Sequence, residues 1–122
     1  MYKESMRQTW VEIDLSALDH NIKEIKSVIG NNEIIGVVKA DAYGHGSVRC
    51  AEVLRDNGVK RFAVATIEEA LELREAGFNE RILILGLVPE DCTDIIIEQN
   101  LTIVVGSLDR AKKKSEIAVK RG

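Results

Sequence analysis

Lysine, aspartate, tyrosine and histidine recur at every second position of the segment VVKADAYGHG, as Lys39, Asp41, Tyr43 and His45. A primary amine can condense with a carbonyl, and a phenol can donate to an anion. Gly44 and Gly46 let backbone approach a ligand closely. Ser47 then reads as the cap of a following helix, whose N-terminus is itself an anion site. A lone lysine at the end of a strand more commonly extends to solvent. The phenol and the glycine pair downstream are what make a ligand-binding role worth pursuing. Asp41 reads as a loop-structuring hydrogen-bond acceptor rather than a catalytic acid, and His45 as a group that orients the turn.

The elements that must position these residues are written in the hydropathy pattern. Four short runs rich in strand-favouring residues, EIIGVV (33–38), RFAVA (61–65), RILIL (81–85) and TIVV (102–105), end at Val38, Ala65, Leu85 and Val105. Helical segments separate them. SVRCAEVLRDNG opens on Ser47 and stops at Gly58; TIEEALELREAG opens on the capping box Thr66 and Glu69 and stops at Gly77. PEDCTDIIIEQN carries Pro89 and acids at its start, and SLDRAKKKSEIAVKR begins with Ser107 as N-cap. Upstream, SALDHNIKEIKSVIG sets Leu18, Ile22, Ile25 and Ile29 on one helical face, and TWVEIDL (9–15) alternates as a further strand would.

Strands alternating with amphipathic helices predict an α/β fold with a parallel sheet. Periodicity leaves open a doubly wound sheet or parallel (βα) repeats forming part of a TIM-type (β/α)8 barrel. In either case reacting groups gather at the carboxyl ends of the strands, where Lys39 falls. Alternation puts Ile35, Val37 and Lys39 on one face, with Gly36 and Val38 on the other. An amine shielded by such an apolar column is the better nucleophile. Four βα units leave a parallel sheet with open edges, so the fold is expected to continue or to need a partner.

Composition narrows the classes. The 122 residues make at most one ordinary domain, and 45% hydrophobic residues with one proline is a globular profile. A net charge of −3 argues against a nucleic-acid binder. The cationic run AKKKSE (111–116) reads as a solvated helix face. Cys50 and Cys92 have no partner motif, which points to inert thiols, no metal site and a reducing cytoplasm. No apolar run approaches a membrane span. His20 reads as solvated.

The segment VVKADAYGHG resembles, unbroken over its ten residues, the pyridoxal-phosphate lysine signature of bacterial alanine racemases. TWVEIDLSALDHNI (9–22) is similar to that family's opening, FAVATIEEALELREAG (62–77) to its second βα unit and ILILGL (82–87) to its third strand. The likeness runs from about residue 8 to residue 90 and weakens beyond. It implies an isomerase with an N-terminal (βα)8 barrel followed by a β-rich domain, acting as a cytoplasmic head-to-tail homodimer on a small amino acid. Residues 1–122 would be the first part of the barrel, about four βα units, with the rest of the barrel and the β domain outside them. Carried over, Lys39 would hold pyridoxal 5'-phosphate covalently and move the substrate proton on one face. Tyr43 would bond the cofactor phosphate, Val37 and Leu85 would line the barrel mouth beneath it, and Trp10 and Glu12 would be structural, in the part that packs against the β-rich domain. The opposite face would be served by a tyrosine of a second subunit, so these residues alone are expected not to turn substrate over. The product, D-alanine, would feed peptidoglycan. Racemases for serine share the signature, and a non-catalytic pyridoxal-phosphate-binding barrel or a half-barrel structural module are the other readings.

Overall fold

The computed structural model describes residues 9–122. In chain order these form α1 (Leu15–Ile29), β1 (Ile35–Val37), α2 (Lys39–Gly44), α3 (Ser47–Asp56), β2 (Arg61–Val64), α4 (Ile67–Glu75) and β3 (Arg81–Ile84). A 3-10 turn (Glu90–Cys92) leads into α5 (Thr93–Glu98), β4 (Thr102–Ile103) and α6 (Leu108–Arg121). The strands lie in the order β1-β2-β3-β4, all parallel. The sheet therefore grows by one strand with each βα unit, as the alternating pattern requires.

Local signals fix most helix starts. Thr66 accepts from the Glu69 amide, and Glu69 returns a bond to the Thr66 amide, so the capping box is complete. Ser107 caps α6 by accepting from the Arg110 amide. Asp14 caps α1 through the amides of Ser16 and Ala17. That cap corrects the expected first strand: residues 9–14 form no strand, and Leu15 already belongs to α1. Alternation alone does not make a strand when no neighbour offers a ladder.

One face of the sheet is packed and the other is open. Phe62, Val64, Ile82 and Ile84 are buried with Leu73 of α4 and Phe78, which meets Phe62 edge-on at 5.5 Å between ring centroids. Gly36 lies beneath this layer, where a Cβ would stand 2.8 Å from Leu54 Cδ1 and 3.1 Å from Phe62 Cδ1, so these side chains would have to shift. On the opposite face Ile35, Val37 and Leu85 are exposed. Helix α1 rests on the core through Ile22 and Leu18, whereas Ile25 of its apolar stripe is half exposed.

Two cations seal the periphery. Arg74 donates to the carbonyls of Phe78, Glu80, Gln99 and Asn100, joining the turns that precede β3 and β4. Burial pushes the Arg74 guanidinium below its ordinary pKa, while Glu80 opposes that shift. Lys114 corrects the reading of AKKKSE as a wholly solvated face. It is buried and donates to the Val88 and Pro89 carbonyls, tying α6 to the segment after β3. Its neighbour Lys113 behaves as expected and pairs at the surface with Glu90.

Candidate active site at the carboxyl edge of the sheet

β1 ends at Val37, and the Val38 amide makes a last bond across to the Ala63 carbonyl at 3.0 Å. The chain then does something rare for residues with a Cβ. Ala40, Asp41, Ala42 and Tyr43 all adopt left-handed helical angles, with φ between 52° and 53°. Each such residue costs about 1–2 kcal/mol, so the turn exists only because other contacts hold it. Gly44 and Gly46, at φ +87° and +89°, then return the chain to the right-handed α3. Their role is conformational: nothing lies within 4 Å of where either Cβ would stand.

The contacts that hold the turn can be named. The Ala42 amide donates to the Val38 carbonyl at 3.0 Å, and the Gly46 amide to the Asp41 carbonyl at 3.0 Å. Asp41 Oδ1 accepts from the Ser47 amide at 2.8 Å. Asp41 therefore structures the loop, as its sequence context suggested. It also displaces Ser47 from the expected capping role: Ser47 is the first residue of α3, and the carboxylate capping it lies six residues upstream. His45 Nδ1 lies 2.9 Å from the Ala42 carbonyl. A carbonyl only accepts, so that nitrogen carries the proton and the ring orients the turn. At the other end, Glu69 Oε1 accepts from the Ala40 amide at 2.8 Å. Glu69 Oε2 meanwhile takes the Ala65 amide at 2.6 Å, at the end of β2.

Lys39 enters this turn half-buried, and burial alternates into it along residues 35–39. Its Nζ lies 5.9 Å from the centroid of the Tyr43 ring, which is itself largely exposed. Among the described residues no carboxylate forms an ion pair with Lys39. Val37 (55% exposed), at the end of β1, and Leu85 (43%), one residue past β3, belong to the open face on either side of β2. The Leu85 amide continues the ladder past β3 by donating to the Val64 carbonyl at 2.8 Å. Lys39 and Tyr43 are thus brought together, while Val37 and Leu85 flank the same sheet edge. Of the four, Val37 also lines a hollow of about 470 Å3 at the free side of β1, with Leu18, Ala42, His45 and Cys50.

The remaining candidates are quiet. Cys50 is buried, and burial followed by the Asp41 charge pushes its thiol pKa up, away from reactivity. His20 is exposed. Trp10 donates to Glu12 at 2.9 Å but is mostly solvent-facing. No group of three or more potential metal ligands occurs among the described residues. Among the described residues no helix is long and apolar enough to cross a membrane.

Sequence reasoning missed Glu69 as a neighbour of the lysine. The capping box accounted for one of its oxygens only, and a carboxylate has acceptor sites to spare.

A free amine is what covalent capture of an aldehyde needs, and a nearby exposed phenol suits a phosphate. The donor set at this edge therefore fits pyridoxal 5'-phosphate. The family described as alanine racemase, N-terminal domain, matches residues 13–122. The alanine racemase of Clostridium kluyveri is 48% identical over 112 residues, covering 92% of this chain and 29% of that protein. The solved alanine racemase of Clostridium difficile 630 superposes with a TM-score of 0.90 at 40% identity, covering 98% of this chain and 32% of that one. A histidine racemase from Leuconostoc mesenteroides subsp. sake gives a TM-score of 0.86 at 32% identity, covering all of this chain and 33% of that one. The chain spans about 30% of the length of the curated relatives it matches.

Proposed function

From a chain that belongs to the alanine racemase N-terminal domain family, we propose the cofactor-bearing part of a pyridoxal-phosphate-dependent alanine racemase. Residues 1–122 are then the first part of a TIM-type barrel domain. Lys39 holds the cofactor covalently, Tyr43 bonds its phosphate, and Val37 and Leu85 form the apolar floor of the barrel mouth. The enzyme is a cytoplasmic homodimer, and its D-alanine serves peptidoglycan. One observation carries the reading: an amine at the carboxyl edge of a parallel sheet, half-buried, without a carboxylate partner among the described residues, and 5.9 Å from a phenol ring.

Racemisation removes the α-proton of an amino acid and returns one to the opposite face. Bound pyridoxal phosphate supplies the electron sink that makes that proton acidic. This chain would supply one face: the Lys39 side chain, as a free amine, would accept the α-proton and could give one back. The strained turn fixes the direction from which it does so. The acid or base for the other face lies outside residues 9–122. Alanine is favoured as substrate by the names of the curated relatives. The histidine racemase, alike over the whole chain, supports substrate choice being made by other parts of the enzyme.

The test is direct. Pyridoxal phosphate added to the purified chain should give a visible absorbance band that Lys39→Ala abolishes, and reduction with borohydride should leave one adduct, on Lys39. No alanine turnover is expected from these residues alone. A band unaffected by Lys39→Ala, or no band at all, refutes the assignment.

A further inference from the structure

Where the β1–β2 ladder stops, the Ala40 amide has lost its strand partner and adjoins the lysine. Its acceptor comes from another βα unit: Glu69 Oε1, 2.8 Å away, on the first turn of α4. The second oxygen of that carboxylate holds the Ala65 amide at 2.6 Å and the Thr66 amide at 3.3 Å. A single carboxylate thus links the carboxyl ends of β1 and β2 just beyond their last backbone bond. An ordinary capping box satisfies donors of its own helix only. This one reaches across 29 residues to the entrance of a turn that its own residues would not choose.

We infer that Glu69 is a positioning residue for Lys39. It locks the first left-handed residue after the lysine and so sets where the amine points. The inference rests on the reading of Lys39 as the cofactor lysine. Glu69 touches neither the amine nor any reacting atom; it acts through the Ala40 amide. Both oxygens must accept, so the carboxylate is needed. In Glu69→Gln one oxygen is replaced by an amino group, which faces an N–H and repels it. In Glu69→Asp the shorter side chain can still serve the local cap but falls short of Ala40.

Thr66→Ala is the matched control, because it weakens the same helix start and leaves the Ala40 bond in place. All three variants are expected to lower thermal stability alike. Amide exchange at Ala40 should accelerate at least tenfold in Glu69→Gln and Glu69→Asp and stay near wild type in Thr66→Ala, a readout that needs no cofactor. Pyridoxal-phosphate dissociation constants, read from the lysine-dependent absorbance, should rise about ten- to hundredfold in the two Glu69 variants, as expected when a reacting group is misplaced by a fraction of an ångström. Thr66→Ala should stay within about threefold, since a helix cap alone does not aim the lysine. Equal losses in Thr66→Ala and Glu69→Gln, or unchanged Ala40 exchange in both Glu69 variants, would overturn the inference. Absence of a lysine-dependent band in wild type defeats the cofactor reading and this inference together, and is distinct from either of those results.

Discussion

Replacing Ala40 by glycine should stabilise this protein, against the usual rule. Ala40 is exposed, so the substitution removes no packing. In a right-handed helix Ala→Gly costs about 1 kcal/mol. Here φ is +52°, where an alanine Cβ costs about 1–2 kcal/mol and glycine pays nothing. Against that gain stands the extra freedom of glycine in the unfolded chain, about 0.5–1 kcal/mol. The balance is a stabilisation of about 0.5–1 kcal/mol, or about 0.5 M in urea midpoint at an unchanged slope. The Glu69 bond to the backbone survives, because it uses the amide.

Asp41 supplies the opposite sign. The strain of four left-handed residues, about 4–8 kcal/mol, is offset by the bonds that close the turn. Three of these are backbone bonds, from the Ala42, His45 and Gly46 amides, and two end on carboxylates, together contributing about 5–10 kcal/mol. The turn is near balance, so one bond matters. Asp41→Ala leaves the Ser47 amide uncapped and should cost about 1–2 kcal/mol. Asp41→Asn keeps the accepting oxygen and should cost under about 0.5 kcal/mol by the same measure. Urea denaturation of the three variants decides the matter. A loss of about 1 kcal/mol in Ala40→Gly, the right-handed result, would show that the turn is not left-handed in solution.

Two further expectations follow from contacts elsewhere. A Cβ on Gly86 would stand 2.6 Å from the Ala65 carbonyl oxygen, which is backbone and cannot step aside, whereas one on Gly36 meets side chains only, the flexible end of Leu54 at 2.8 Å and the Phe62 ring at 3.1 Å. Gly86→Ala should therefore cost about 2–3 kcal/mol and Gly36→Ala about 1, in thermal unfolding; the reverse order would contradict the packing described. Asp19 accepts from the Asn57 amide, and that bond, then Lys23, holds its carboxyl below the usual carboxylate range. A folded pKa below the unfolded one contributes stability above about pH 4 that is lost as pH falls through the folded value. Wild type should exceed Asp19→Asn in stability at neutral pH, with the gap closing in acid; a gap independent of pH would remove the linkage.

What was legible in the sequence was local. The strands, the capping box at Thr66 and Glu69 and the Ser107 cap depend on residues within one turn of each other, and all are present. Misreadings arose where a distant partner decides. TWVEIDL alternates, yet among the described residues no strand lies beside it, and Asp14 turns the chain into α1 instead. Three adjacent lysines look equivalent, but the rotation of α6 against the Val88 and Pro89 carbonyls buries Lys114 alone of the three. Lys39 could be placed at a strand end by periodicity. Its neighbours' handedness could not, since ADAY contains no glycine to announce a left-handed turn and the residue that secures it comes 29 positions later.

The missing glycine has a physical consequence. Glycine would enter the left-handed region freely, but it would enter others as freely, and the lysine before it would wander. Alanine at φ +52° is costly and stays there only because Glu69 and Asp41 compel it, so the turn has one conformation or none. A residue that is worse for stability is thereby better for aim. The Ala40→Gly protein should accordingly be more stable and yet capture pyridoxal phosphate on Lys39 more weakly, by about tenfold if the released backbone lets the amine drift by a fraction of an ångström. If stability and capture rose together, the strain would be incidental, and the turn would have to be explained by the fold alone.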